Sequence, residues 1–76
     1  MDIDALLAEV EKRYQKQPHS TIDGLKIEFD KQWVHLRRSN TEPIIRIYSE
    51  GSSETMANNL AQKIISDIKE ILRLTE

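Results

Sequence analysis

Three segments in the middle of the chain alternate apolar with polar residues, and this alternation constrains the fold more than any other feature of the sequence. They span residues 25–30, 33–38 and 44–50. Successive side chains of a β-strand point to opposite sides, so a period of two is typical of a strand with one buried face. The sequence therefore predicts an antiparallel sheet that is covered on one side.

Turn-forming residues separate these segments. Asp23-Gly24 is a tight-turn signal, which predicts that a short strand at residues 20–22 pairs with the strand that follows it. Residues 30–32 form the next predicted turn. The sheet is thus expected to contain three to four strands.

Two segments with helical periodicity flank the sheet region. Residues 2–16 and 54–74 carry apolar side chains three and four positions apart, as expected for helices with one buried face. The predicted fold class is α+β, with both helices on one face of the antiparallel sheet. Acidic and hydroxyl residues that can cap the two helices are Asp2, Asp4, Ser52 and Ser53.

The polarity pattern also determines how the last two strands pair. Burying Val34 and Leu36 of one strand with the isoleucines of the next gives one continuous apolar face, whereas a shift by one residue would split the apolar set. In this register Arg37 and Arg46 lie on the same polar face. The other residues predicted on that face are Trp33, His35, Ile44 and Tyr48.

The loop between these strands has the sequence Arg37-Arg38-Ser39-Asn40-Thr41-Glu42-Pro43, which suits an anion-binding site. Arg37 can bind a phosphate through two parallel N–H donors, and Arg46 can supply a second cation. The loop backbone can also turn several N–H groups inward as a concave nest. Any left-handed backbone position is expected at Asn40, because the loop has no glycine. The candidate phosphate ligands are Arg37, Ser39, Asn40, Thr41 and Arg46.

Ordinary structural roles compete with this interpretation. Arg46 could instead pair across the strands with Glu42 or Glu50. Arg38 points to the opposite face by alternation, where a salt bridge or solvent exposure would account for it. Ser39 has no base placed in the sequence to activate it as a nucleophile. Turn formation alone would also explain the short polar side chains of the loop.

The segment from Arg37 to Arg46 resembles the phosphate-binding loop of the α-D-phosphohexomutases, which lies in their C-terminal domain. Trp33-Val34-His35-Leu36, Tyr48-Ser49-Glu50 and the last helix extend the resemblance over about residues 21–72. Many members of the family carry glycine at the position of Asn40. The asparagine makes this loop similar to that of the phosphomannomutase/phosphoglucomutase branch. The resemblance implies the TBP-like α+β fold of those domains.

The resemblance also implies an enzyme that interconverts hexose 1-phosphates and 6-phosphates, of mannose, glucose or both. Residues 1–76 would be a fragment of it, forming a single C-terminal domain. In the family, a phosphoserine in the first domain and Mg²⁺ bound by another domain carry out the phosphoryl transfer. No catalytic residue, metal site or cofactor is therefore expected in this chain, which alone is expected to be inactive. Its expected partners are the phosphosugar and the preceding domains of the same enzyme.

The amino-acid composition narrows the range of functional classes to which the chain could belong. The chain has 11 Lys and Arg against 13 Asp and Glu, a net charge of −2, and no Cys. This balance argues against binding to nucleic acid or to an anionic membrane. The absence of Cys excludes a disulfide or a thiolate metal site, and no apolar run suits a membrane span or a signal peptide. One small cytoplasmic domain is expected.

Two alternatives from other functional classes remain open at this point. One is a stand-alone phosphate-binding or interaction domain with no catalysis. The other is a nucleic-acid module that stacks bases on Trp33 and Tyr48. His35 is interpreted as a half-exposed strand residue rather than an acid or a base, and His19 as a loop residue without metal ligands nearby.

Overall fold

Two helices lie against one face of a four-stranded antiparallel sheet. The computed structural model describes residues 2–74. The helices are α1 (Ile3–Arg13) and α2 (Glu54–Leu74), and the strands, in their spatial order, are β1 (His19–Ser20), β2 (Leu25–Phe29), β3 (Gln32–Arg38) and β4 (Ile45–Glu50). The α+β fold predicted from the sequence is confirmed.

The core lies between the helices and the inner face of the sheet. Alternate residues of β2 and β3 supply the sheet side of this core, as their period of two requires. Burying a Leu, Ile or Val side chain contributes about 1.5–3 kcal/mol. The buried apolar residues are Leu6, Val10, Leu25, Ile27, Val34, Leu36, Leu60, Ile64 and Ile71.

The register between β3 and β4 is the one that the polarity pattern predicts. Leu36 lies opposite Ile47 on the inner face, and Arg37 lies opposite Arg46 on the outer face. Directly opposite residues of an antiparallel pair share a face. The predicted placement of both arginines on one polar face is therefore confirmed.

Both helices begin with a capped N-terminus. The side chain of Asp2 accepts a hydrogen bond from the N–H of Ala5 at 2.7 Å. The hydroxyl of Ser53 accepts one from the N–H of Met56 at 3.1 Å. Each cap satisfies an N–H group that has no partner within the helix.

The first hairpin differs from the prediction. The strand expected at residues 20–22 lies instead at His19–Ser20, and residues 21–24 form a loop in which Ile22 is 97% exposed. Pairing begins earlier because the carbonyl of Pro18 accepts a hydrogen bond from Glu28 at 2.8 Å. The turn glycine is essential here: Gly24 has φ +72°, and a Cβ at this position would lie 2.2 Å from the carbonyl oxygen of Leu36.

The left-handed residue is Lys31, not Asn40 as predicted. Lys31 has φ 61° and is the one non-glycine residue with positive φ within residues 2–74. It lies in the two-residue connection between β2 and β3, where tight hairpins call for positive φ. The longer loop after β3 closes through side-chain hydrogen bonds, so it needs no left-handed residue.

Candidate anion-binding site

A cleft of about 290 Å³ opens beside the loop between β3 and β4. It lies at the end of the sheet where these two strands meet their connection. All five candidate ligands predicted from the sequence border it. The lining residues are Arg37, Arg38, Ser39, Asn40, Thr41, Arg46 and Tyr48.

Two like charges face each other across the strands at this cleft. Arg37 and Arg46 are directly opposite partners, and both are exposed. Like charges in this position are destabilising, so an anion between them would be stabilising. Arg46 makes no ion pair within the part of the chain that the structure describes. The alternative pairing of Arg46 with Glu42 or Glu50 is therefore not formed.

Arg37 has an acidic partner that the sequence pattern did not reveal. One of its terminal nitrogens, Nη2, lies 3.3 Å from Oδ2 of Asp23 in the loop before β2. About half of the Arg37 side chain and 64% of the Asp23 side chain remain exposed. The Asp23-Gly24 pair is a turn signal, and nothing in its spacing points to a contact with a strand two elements further on.

Arg38 points to the helical side of the sheet, as alternation predicts. Its Nη1 lies 2.9 Å from Oδ2 of Asp4 in the first turn of α1. The neighbouring arginines thus have different partners on opposite faces. The predicted salt-bridge role of Arg38 is confirmed.

Ser39 organises the loop from within. It is 9% exposed, and its hydroxyl oxygen accepts hydrogen bonds from the N–H groups of Thr41 and Glu42, each at 3.3 Å. The same oxygen lies 3.3 Å from the hydroxyl of Thr41. A serine side chain that accepts from residues two and three positions later forms a turn without help from glycine.

The predicted nest of inward N–H groups is wrong for the structure as it stands. Besides the two N–H groups held by the Ser39 hydroxyl, the N–H of Ser39 donates to Ile44 at 3.1 Å and that of Ile44 donates to Glu42 at 2.8 Å. Pro43 has no N–H. The N–H of Asn40 is the one in residues 39–44 that has no acceptor. The Ser39 hydroxyl occupies the position of acceptor that the prediction gave to an anion.

The two histidines have structural partners. Nε2 of His35 lies 2.5 Å from the carbonyl oxygen of Asp23, and since a carbonyl only accepts, His35 donates. His19 lies away from the cleft, with Nε2 3.2 Å from Glu11. Within residues 2–74, no group of three or more His, Cys, Asp or Glu side chains is placed to hold a metal ion. No helix there is long and apolar enough to cross a membrane.

Known proteins with similar sequences share this domain. Residues 1–67 match the family of phosphoglucomutase/phosphomannomutase C-terminal domains. The chain is 42% identical over 74 residues to a phosphoglucomutase/phosphomannomutase of Thermococcus kodakarensis, covering 95% of this chain and 16% of that protein. It is 43% identical over 53 residues to a probable phosphoglucosamine mutase of Pyrococcus horikoshii, covering 70% of this chain and 12% of that protein.

A third relative is a phosphoglucosamine/phosphogalactosamine mutase of Sulfurisphaera tokodaii, 50% identical over 44 residues, which cover 58% of this chain and 10% of that protein. Together with the α+β fold and its arginine-lined loop, these matches define the class as a small domain of the kind found in phosphosugar mutases. The chain belongs to the phosphoglucomutase/phosphomannomutase C-terminal domain family. It spans 10–16% of the length of these relatives, whose names include both glucosamine and glucose or mannose types.

Proposed function

We propose that this domain binds a phosphate group of a phosphosugar in a mutase that interconverts hexose 1-phosphates and 6-phosphates. The phosphate held here is the one that is not being transferred. The observation that carries the proposal is the directly opposed, exposed pair Arg37 and Arg46 at one cleft, with the polar loop beside it. Two guanidinium groups offer charge-assisted hydrogen bonds that suit a phosphate dianion.

The domain contributes by positioning. Holding one end of the sugar makes attack at the other end effectively intramolecular, which is a large part of catalysis in phosphoryl transfer. A site that recognises phosphate rather than a sugar hydroxyl accepts the substrate in either orientation. Mannose or glucose phosphates are the proposed substrates, with the sugar ring contacted by the preceding domains.

The loop hydrogen bonds can rearrange when phosphate binds. The N–H groups of Thr41 and Glu42 lie 3.3 Å from the Ser39 hydroxyl, which is at the long end of the hydrogen-bond range. An ionised phosphate oxygen is a stronger acceptor than a hydroxyl. In the bound state these N–H groups and that of Asn40 would turn to the phosphate, and the hydroxyls of Ser39 and Thr41 would donate to it.

The chemical step belongs elsewhere in the proposed enzyme. A transferring phosphoserine and Mg²⁺ would both lie in preceding domains, which would meet this domain across the sugar. Within residues 2–74, no three His, Cys, Asp or Glu side chains are placed to hold a metal ion, so we assign no metal role to this domain. The proposed location of the enzyme is the cytoplasm.

Affinity measurements on variants in which each arginine is replaced by alanine test this proposal. In an NMR titration with glucose 6-phosphate, a millimolar or weaker dissociation constant is expected, since a single phosphate site provides a binding free energy of only about 4 kcal/mol or less. Arg37→Ala and Arg46→Ala should each weaken binding about tenfold or more, because a hydrogen bond to a charged group contributes about 1.5–3 kcal/mol.

The matched control is Arg73→Ala, which removes the same charge from the exposed last turn of α2. It should leave the dissociation constant within about twofold of wild type, as expected for a screened distant charge. Equal losses in all three variants would indicate general electrostatic attraction and would refute a site at the opposed arginines.

A further inference from the structure

We infer that Asp23 is a built-in competitor of the phosphate for Arg37. The Asp23 carboxylate lies 3.3 Å from Nη2 of Arg37, one of the guanidinium nitrogens through which Arg37 would bind the phosphate. The inference rests on the proposed function and adds a regulatory element to it: the acidic loop lowers the affinity of the site for its ligand.

The strand order places the Asp23 carboxylate and the proposed phosphate on opposite sides of Arg37. Asp23 lies two residues before the start of β2, whereas Arg46 lies on β4, and β3 with Arg37 runs between these two strands. The ion pair at 3.3 Å therefore draws the guanidinium toward β2. A phosphate held jointly with Arg46 would draw it toward β4. Arg37 is long and half exposed, so it has room to exchange between the two positions.

Asp23 cannot follow Arg37 across the sheet, because its loop is fixed at two points. The carbonyl oxygen of Asp23 accepts a hydrogen bond from His35 at 2.5 Å. The next residue, Gly24, packs so closely on β3 that a Cβ there would lie 2.2 Å from the carbonyl oxygen of Leu36. The carboxylate thus stays on the β2 side while the guanidinium moves, and binding a phosphate beside Arg46 breaks the ion pair.

The size of the effect follows from the exposure of the pair. Exposed ion pairs contribute little to stability, so breaking this one should reduce phosphate affinity by roughly 1.5- to 5-fold. The negative charge of Asp23 near a dianion acts in the same direction.

The test is a titration of wild-type chain and Asp23→Asn with glucose 6-phosphate, followed through the amides of the loop and the Nε–H signal of Arg37. Asp23→Asn should bind the ester about 1.5- to 5-fold more tightly. It should also shift the Arg37 Nε–H signal before any ester is added. In wild type the ester shifts this signal because it displaces Asp23, and most of that shift should be absent in Asp23→Asn.

The matched control is Asp30→Asn, which removes the same charge from an exposed turn and breaks no ion pair within residues 2–74. It should leave the affinity at the wild-type value. Equal tightening in Asp23→Asn and Asp30→Asn would show a net-charge effect and overturn the inference.

The outcomes separate the inference from the proposed function. If wild type binds the ester at the loop but Asp23→Asn binds equally well or more weakly, Asp23 is not a competitor and the proposed function stands. If neither protein binds the ester at the loop, the proposed function fails and the competitor role fails with it.

Discussion

Ser39 shows how much one hydroxyl group can determine at the scale of a residue. Its oxygen is the acceptor for two backbone N–H groups of the loop and also contacts the hydroxyl of Thr41. These contacts hold the loop in a shape that keeps Asn40 and Thr41 exposed at the cleft. The loop therefore has a defined shape of its own, and in the proposed bound state two of its N–H groups exchange the Ser39 hydroxyl for the phosphate.

Ser39→Ala is expected to lower the free energy of unfolding by about 0.5–1.5 kcal/mol, the usual net value of a lost hydrogen-bonding group whose partners can still reach water. Urea denaturation followed by circular dichroism measures the loss. Ser66→Ala provides the comparison, because Ser66 is exposed on α2 and alanine is the better helix former. If the two variants are equally stable, the Ser39 hydroxyl does not hold the loop.

Single-residue contacts mark the limit of what the sequence could predict. The arginines were found because alternation assigns each of them to a face. The contact between Arg37 and Asp23 depends on where a flexible side chain settles, and no periodicity encodes that. The same applies to the loop N–H groups: the sequence shows that donors are present, but not that Ser39 has already taken two of them.

At the scale of elements, the existence of the longer segments was predictable, although α1 ends at Arg13 and not at the predicted residue 16, and the position of the shortest segment was not predictable. The predicted bounds of α2 are those observed, because its apolar stripe repeats over 21 residues between a serine cap and the end of the pattern. β1 has only two residues, too few to show any period. Its position is decided by the register of β2, through the hydrogen bond from Glu28 to Pro18.

A polar cluster joins the two helices on the far side of the core from the loop. The hydroxyl of Tyr14 donates to the carboxylate of Asp67 and accepts from the ammonium of Lys63 at 2.5 Å. The Lys63 ammonium also lies 4.7 Å from the centre of the Tyr14 ring. Arg13 adds an ion pair with Glu70 at 3.1 Å. These contacts fix α1 on α2 where the apolar core ends.

The cluster makes the free energy of unfolding decrease as the pH becomes alkaline. Burial and the hydrogen bond to Asp67 raise the pKa of Tyr14 above its ordinary value of 10.0, against the opposing effect of Lys63. The hydrogen bond to Tyr14 raises the pKa of Lys63 above 10.5. The folded protein thus holds both protons more tightly than the unfolded chain. This stabilisation is complete below about pH 10 and is lost as the pH rises through the raised values.

We therefore expect the free energy of unfolding to decrease more steeply above about pH 10 in wild type than in Tyr14→Phe. Urea denaturation at several pH values measures the two slopes. Tyr48→Phe is the matched control, because Tyr48 is 46% exposed and makes no hydrogen bond through its hydroxyl within residues 2–74. Parallel curves for wild type and Tyr14→Phe would show that the cluster does not couple protonation to folding.

At the scale of the whole molecule, the fold separates the residues of the core from those of the proposed phosphate site. Helices and core occupy one side of the sheet, while Arg37 and Arg46 occupy the other side near its end. The phosphosugar mutases that the chain resembles are six to ten times longer than the matched segment, which covers 10–16% of them. A small domain that presents one charged loop is suited to holding a substrate while other parts of such an enzyme act on it.

The most direct test of this account is the set of amide signals that move when the ester binds. The measurement compares titrations of the chain with glucose 6-phosphate and with glucose, followed by ¹⁵N–¹H NMR. The ester is expected to shift the amides from Arg37 to Arg46, with the largest change at Asn40, whose N–H has no acceptor within residues 2–74. Glucose should shift none of them. Identical shifts with both ligands, or shifts confined to α2, would contradict a phosphate site at the opposed arginines.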